Sequence, residues 1–310
     1  MSALADAAVD YVALRRAVGF KLVGVDRLLA DFVAFAESNG EGTVTVALAL
    51  AWAGQRGGNA RVVARRLSTV RGFSRYLQAQ CRDHEVPPTW LLPIGKGVRR
   101  VPYLYSSGDI TAMMQAARTL EPELRASTVE TVLGLLFVSG MRIGEVLALN
   151  ENDVDWDAGT LTVRLAKFNK SRLVPLTAST LDALGVYLAR RRALCAKGVT
   201  SALFVNTRGK RLTYAAFSVA FGVILAEAGV CSVAKRPRIH DLRHSFAVAT
   251  LLEWYRAGLD VQPLLPRLSV YLGHVNPAST YWYLTGSPEL MALVVDRLES
   301  SRGEVNGEWS

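Results

Sequence analysis

Acidic residues are missing where basic ones crowd. From Arg56 to Arg82 there are seven arginines and no aspartate or glutamate. Over all 310 residues, 36 lysines and arginines face 27 acids, for a formal net charge of +9. That balance favours a polyanionic partner: nucleic acid first, an anionic membrane second. Cysteine is scarce as well. Cys81, Cys195 and Cys231 are scattered and odd in number, and no Cys-x-x-Cys or Cys/His pair has zinc spacing. A reduced cytosolic compartment fits best. No uncharged apolar run reaches the ~20 residues needed to cross a bilayer. No basic region followed by an apolar core marks a secretory leader. A membrane partner is therefore not expected. The chain has no internal repeat and no low-complexity tract.

What is present suffices for two domains. Hydrophobic residues make up 50% of the chain, enough to fill a core in each. The charge is uneven: residues 1–100 carry 14 Lys+Arg against 8 Asp+Glu, and the remaining 210 carry 22 against 19. Periodicity near 3.6 predicts a helix over 5–38 and a shorter one over Thr45 to Ala53. Asn59 is placed to cap a helix running to about Gln80. Val62, Val63, Leu67, Val70, Phe73, Tyr76 and Leu77 share one face of it. Arg61, Arg65, Arg71 and Arg75 stripe the other. Solvated faces usually mix signs, so this stripe reads as a DNA-phosphate contact, with a solvated face as the bland alternative. Arg66 falls on the apolar side without explanation. Residues 83–106, punctuated by Pro87, Pro88, Pro93, Gly95, Gly97 and Pro102, read as an interdomain linker, with His84 exposed. The domain boundary belongs near residue 100.

The second domain opens on a capping signal, Ser106-Ser107-Gly108-Asp109. Helices are predicted at 109–119 and 127–138, and another from Met141 to Leu149, with Arg142 at its start, where backbone N–H groups favour anions. The alternative for Arg142 is an ion pair with Glu145, three residues on. Residues 160–165 alternate as a strand, and Arg172 to Leu176 form the returning strand of a hairpin. Lys167 and Lys170 lie at its tip. Helices follow at 178–195, 213–229 and 241–257. Pro263 and Pro266 break the next stretch, a last helix spans Glu289 to Leu298, and the tail is polar.

Two boxes carry the chemistry. One reads Pro237-Arg-Ile-His240-Asp-Leu-Arg243-His-Ser-Phe; the other reads Tyr271-Leu-Gly-His274-Val-Asn-Pro, with Tyr283 nine residues beyond His274. His240 and Arg243 share a helical face. Both donate hydrogen bonds, and Arg243 keeps its charge at any ordinary pH. A histidine–arginine–histidine cluster is an anion receptor, and a tyrosine beside it can act as a nucleophile. Phosphodiester cleavage needs a nucleophile, donors for the non-bridging oxygens and an acid for the leaving oxygen. No carboxylate cluster accompanies these boxes to hold a metal. Guanidinium groups can take its place by forking onto phosphate oxygens.

Together with Ser139-Gly-Met-Arg142-Ile-Gly-Glu145, these boxes closely resemble the tyrosine recombinases, the class of phage integrases and the Xer and Cre proteins. The resemblance spans roughly residues 103–295. It implies a mainly α fold with a small antiparallel β-sheet. An N-terminal helical, SAM-like core-binding domain (1–100) would precede a C-terminal α+β catalytic domain (101–310). Arg142 matches the first family arginine, His240 and Arg243 the His-x-x-Arg box, His274 the Leu-Gly-His box, and Tyr283 the nucleophile. Lys167 matches the hairpin lysine that serves as acid. Phe168 stands where glycine is usual, so Lys170 remains an alternative. Family spacing selects Tyr283 over Tyr281. The interval from Arg243 to His274 is longer than in the simplest members, and an extra loop is expected there.

The resemblance implies a site-specific recombinase or integrase of a mobile element. It would cut and rejoin DNA through a 3′-phosphotyrosyl link with no metal, ATP or other cofactor. Its partner would be double-stranded DNA carrying a recombination site. It would work as a dimer to tetramer, with or without a second recombinase, in the cytoplasm on the nucleoid. Lys170 and Arg172 join the arginine stripe as expected DNA contacts. The rivals are a type IB topoisomerase-like relaxase, a non-catalytic DNA-binding protein that retains the fold and, further off, an RNA-binding module.

Overall fold

A computed structural model describes residues 2–20, 22–55, 57–91, 101–164, 171–195, 200–230 and 237–273. The chain divides into two compact units, Met1–Arg100 and Val101–Ser310.

The first unit contains four helices among its described residues: α1 (Ala3–Ala17), α2 (Val25–Ser38), α3 (Val46–Gln55) and α4 (Ala60–Gln78). The helix expected over 5–38 is in fact two. Gly19 and Gly24 adopt φ of +90° and +74°, a left-handed backbone that glycine takes without a Cβ penalty, and the chain turns between them. Ser2 Oγ caps α1 by accepting from the Ala5 amide at 3.2 Å, and Asn59 Oδ1 caps α4 by accepting from Val62 at 3.1 Å. Leu29, Phe32, Trp52, Leu67, Val70 and Phe73 fill the core, with Phe32 and Trp52 edge to face at 5.2 Å. Val62, expected on the buried face of α4, is exposed; it sits in the first turn of the helix, against Gly58.

The stretch expected to be a linker starts inside this unit. His84 is buried, not exposed, and its Nδ1 accepts from the Val44 amide at 3.0 Å. The Glu85 carboxylate accepts from the Val46 amide at 2.7 Å, which caps α3. Arg71 Nε donates to the Pro87 carbonyl at 2.7 Å, and its Nη2 donates to Pro88 at 2.9 Å.

The second unit is built on α6 (Glu123–Ser139), which packs against α5 (Ser107–Arg118), α8 (Ala178–Leu194) and α10 (Ile239–Arg256). The predicted cap of α5 forms as a reciprocal pair: Ser106 Oγ accepts from Asp109 N, and Asp109 Oδ2 accepts from Ser106 N. After α7 (Ile143–Ala148), strands β1 (Val154–Asp155), β2 (Thr160–Val163) and β3 (Arg172–Pro175) form one antiparallel sheet in that order. Leu161 pairs with Val174, and both are buried; Val163 pairs with Arg172. Phe204 and, from α9 (Tyr214–Glu227), Phe217 complete the core around Val132 and Leu133.

The extra loop expected between Arg243 and His274 is instead a continuation of α10, a turn at Gly258 and a further helix, α11 (Leu264–Leu272). Pro263 and Pro266 do not break this helix. Pro263 precedes its first turn and Pro266 lies within it, where backbone N–H groups have no intrahelical acceptor to lose. Val248, Leu251, Val261, Leu265, Leu268 and Leu272 make a second small core beneath it. No helix among the described residues is long and apolar enough to cross a membrane.

Candidate active site

Three elements converge on the last turn of α11. α6 ends at Gly140, in the left-handed conformation at φ +57°. A Cβ there would lie 2.4 Å from Phe246 Cδ1 on α10, so only glycine fits. The turn carries the chain to Arg142, the cap residue just before α7. The Glu145 carboxylate folds back and accepts from the Arg142 amide at 3.0 Å and from its Nη1 at 2.8 Å. The ion pair set out as an alternative to a functional role therefore exists. It occupies the helix-start amide that was expected to favour an external anion. Arg142 Nη2 continues past Glu145 and donates to the Gly273 carbonyl at 2.9 Å, and the side chain remains 28% exposed.

Arg243 arrives from the first turns of α10 and is fully buried. Its Nη1 donates to the Gly140 carbonyl at 2.9 Å and its Nη2 to the Leu272 carbonyl. Arg172, from β3, donates Nε to the Tyr271 carbonyl at 2.9 Å and forks onto both oxygens of Glu145 at 3.1 and 2.7 Å. Three guanidinium groups thus hold the carbonyls of Tyr271, Leu272 and Gly273 in succession. These are the unpaired carbonyls at a helix C-terminus, where positive charge is favoured.

His240 lies at the start of α10, on the surface and on the same face as Arg243. Asp241 beside it is buried and binds the Arg238 guanidinium at 2.7 Å. The His240 and His244 rings meet edge to face with centroids 4.9 Å apart. Partial burial and then the Arg243 charge hold the His240 pKa below its ordinary value. Burial and then His240 bring the buried His244 down to about 4. Both rings are therefore neutral near pH 7. Burial alone would raise the Glu145 pKa, but the hydrogen bond and charge of Arg172 and the hydrogen bonds of Arg142 prevail and set it at about 2. One carboxylate and three guanidinium groups leave a local excess of positive charge, which suits a phosphate.

Of the expected site residues, the structure thus brings together Arg142, His240 and Arg243. Lys167, Lys170, His274, Tyr283 and Tyr281 lie outside the described residues. Two expected DNA contacts require correction. Arg172 is only 12% exposed in its side chain, with its guanidinium bound to Glu145 and Tyr271. Arg71 is turned onto the carbonyls of Pro87 and Pro88. Arg61, Arg65 and Arg75 stand exposed on α4. Arg66 now has a role: its Nη1 donates to the carbonyls of Ala53 and Gly57 at 3.2 and 3.1 Å, closing the end of α3. Glu145 as the hub of two arginines was only half visible in the sequence. Its pairing with Arg142 follows from i,i+3 spacing, whereas Arg172 comes from 27 residues away.

Comparison with known proteins bears on the family and the fold. Residues 105–289 match the phage integrase family. A Sinorhizobium fredii protein named "Putative integrase/recombinase y4rB" is 45% identical over 96% of this chain and 98% of its own length. Tyrosine recombinase XerC of Azotobacter vinelandii is 33% identical over 78% of this chain and 75% of its own. Among solved structures, XerH site-specific recombinase bound to a palindromic difH substrate superposes with a TM-score of 0.65. It covers 91% of this chain and 78% of its own at 18% identity, a likeness of fold.

Proposed function

Because this chain belongs to the phage integrase family of tyrosine recombinases, we propose that it cuts and rejoins DNA strands at a specific site through a 3′-phosphotyrosyl link. The observation that carries the reading is the meeting of Arg142, Arg243 and Arg172 at the end of α11, with His240 alongside. His274 directly follows Gly273 in the chain, and Tyr283 lies nine residues beyond His274. In this reading the Tyr283 oxygen attacks the scissile phosphorus, a phosphorus–tyrosine bond forms and the bond to the 5′-oxygen breaks. His240, neutral near pH 7, has a lone pair to accept the phenol proton or an N–H to give the phosphate. Arg142, Arg243 and His274 stabilise charge on the non-bridging oxygens, and Lys167 or Lys170 protonates the departing 5′-oxygen. Attack by a 5′-hydroxyl on the phosphotyrosine reverses the sequence. The ester conserves the bond, so neither ATP nor a metal is called for.

The first unit, with Arg61, Arg65 and Arg75 on α4, is proposed to bind the duplex and the second to carry the chemistry. The protein would act as a dimer or tetramer on its site, in the cytoplasm. The test is covalent capture on a nicked duplex, from which the short 5′-hydroxyl fragment diffuses away. In EDTA, the wild-type protein should form an adduct. Tyr283→Phe should form none and should bind the duplex with affinity within about threefold of wild type. Capture surviving in that variant would move the nucleophile elsewhere, to Tyr281 first. Relaxation of supercoils without exchange between sites would favour the topoisomerase-like rival.

A further inference from the structure

Arg172 and Arg142 hold one carboxylate between them. We propose that Arg172 is a positioning residue of the strand-transfer site: it neutralises Glu145 so that Arg142 keeps its charge for the phosphate, and it fixes the last turn of α11. The proposal rests on the strand-transfer reading above.

Four hydrogen bonds reach the two Glu145 oxygens, two from Arg142 and two from Arg172. Glu145 is 9% exposed and Arg172 12% in their side chains, so water screens neither well. Arg142 and Glu145 alone would sum to zero charge. With Arg172 the trio carries one net positive charge, on the more exposed member. Removing Arg172 leaves Glu145 with Arg142 as its sole guanidinium partner among the described residues. It should then draw Arg142 away from a phosphate oxygen. The forked geometry is specific to arginine, because lysine presents a point charge and cannot span both oxygens. The third donor, Nε on the Tyr271 carbonyl, ties the same side chain to α11. Gly273 seals the arrangement: a Cβ there would sit 3.0 Å from Arg172 Nη1 and 3.5 Å from Arg142 Nη1.

The experiment compares wild type, Arg172→Met, Arg172→Lys and the double variant Glu145→Gln/Arg172→Met. It reads three quantities: melting temperature, duplex affinity with its salt dependence, and the rate of covalent capture at saturating nicked duplex. Arg172→Met should slow capture about 100-fold while affinity stays within about threefold and the salt slope is unchanged. Arg172→Lys should fall between it and wild type. The double variant should recover at least tenfold over Arg172→Met, because removing the anion frees Arg142 again; a merely structural loss predicts no such recovery. Wild-type capture by Arg172→Met, a flatter salt slope, or no recovery in the folded double variant would overturn the proposal. If Arg172→Met does not fold, Arg172→Lys decides: slowed capture at intact affinity supports the proposal, and an unchanged rate overturns it. Absence of any adduct with wild type would instead overturn the strand-transfer reading, and the proposal with it.

Discussion

Gly140 and Phe246 are in contact: the face of Gly140 that a side chain would occupy is already filled by the Phe246 ring, 2.4 Å from where a Cβ would stand. The ring belongs to α10, the helix that delivers Arg243, and Gly140 closes the helix that precedes Arg142. The two arginines are therefore set relative to each other partly by this contact.

Gly140→Ala should be costly for that reason. A left-handed backbone costs a non-glycine residue ~1–2 kcal/mol, and forcing a methyl into a filled site adds ~1–3 kcal/mol. We expect a loss of about 2–5 kcal/mol in denaturant unfolding of the second unit. Capture should fall as well, because Phe246, on the helix that delivers Arg243, must shift to admit the methyl.

Stability should also fall as the solution is acidified below neutrality. In the folded protein, burial and then His240 hold the His244 pKa at about 4, against 6.5 in its ordinary state. Arg238 and Arg243 push the same way, and Asp241 opposes them. Between these pH values the unfolded chain binds a proton that the folded chain refuses. The contribution is thus complete above pH 6.5 and lost as pH falls toward 4, ~3 kcal/mol at most. His240 acts in the same direction. Glu145 works in a separate window: its stabilising effect is present above 4.5 and lost as pH falls toward 2. His244→Gln should flatten the dependence of the unfolding midpoint between about pH 7 and about pH 4.5, and an unaltered slope would refute the assignment.

The four arginines of the α4 stripe divide into two sorts. Arg61, Arg65 and Arg75 are exposed, and Arg71 is spent on two carbonyls. Replacing the first three with glutamine should weaken duplex binding and reduce its log–log salt slope by about 0.9 for each phosphate no longer neutralised. Arg71→Gln should leave the slope alone and lower the melting temperature of the first unit. A slope unmoved by the triple variant would return those three residues to the role of a solvated face.

Much of this is readable from residue order because the signals are local. The Asn59 cap, the Ser106–Asp109 box and the alternation of β2 depend on neighbours within four residues, and all stand as expected. The His240–Arg243 pair is legible for the same reason. What residue order hides depends on distant partners. Nothing near Arg172 or Arg71 reveals that Glu145 or the carbonyls of Pro87 and Pro88 will take up their donors. Pro263 and Pro266 read as breakers because proline at the start of a helix and proline in its path look alike until the helix start is known. His84 reads as a surface residue among prolines; its acceptor role for Val44, 40 residues back, is a tertiary fact.

That last bond bears on how the first unit can be cut from the whole. A piece ending at Arg82 would deprive the Val44 and Val46 amides of their acceptors and leave Arg71 with nothing to grasp. Carrying the cut out to Leu91 keeps all three fastenings and the apolar contact of Leu91 itself. The stretch that looks like a tether is, over its first third, the clasp of the bundle it leaves.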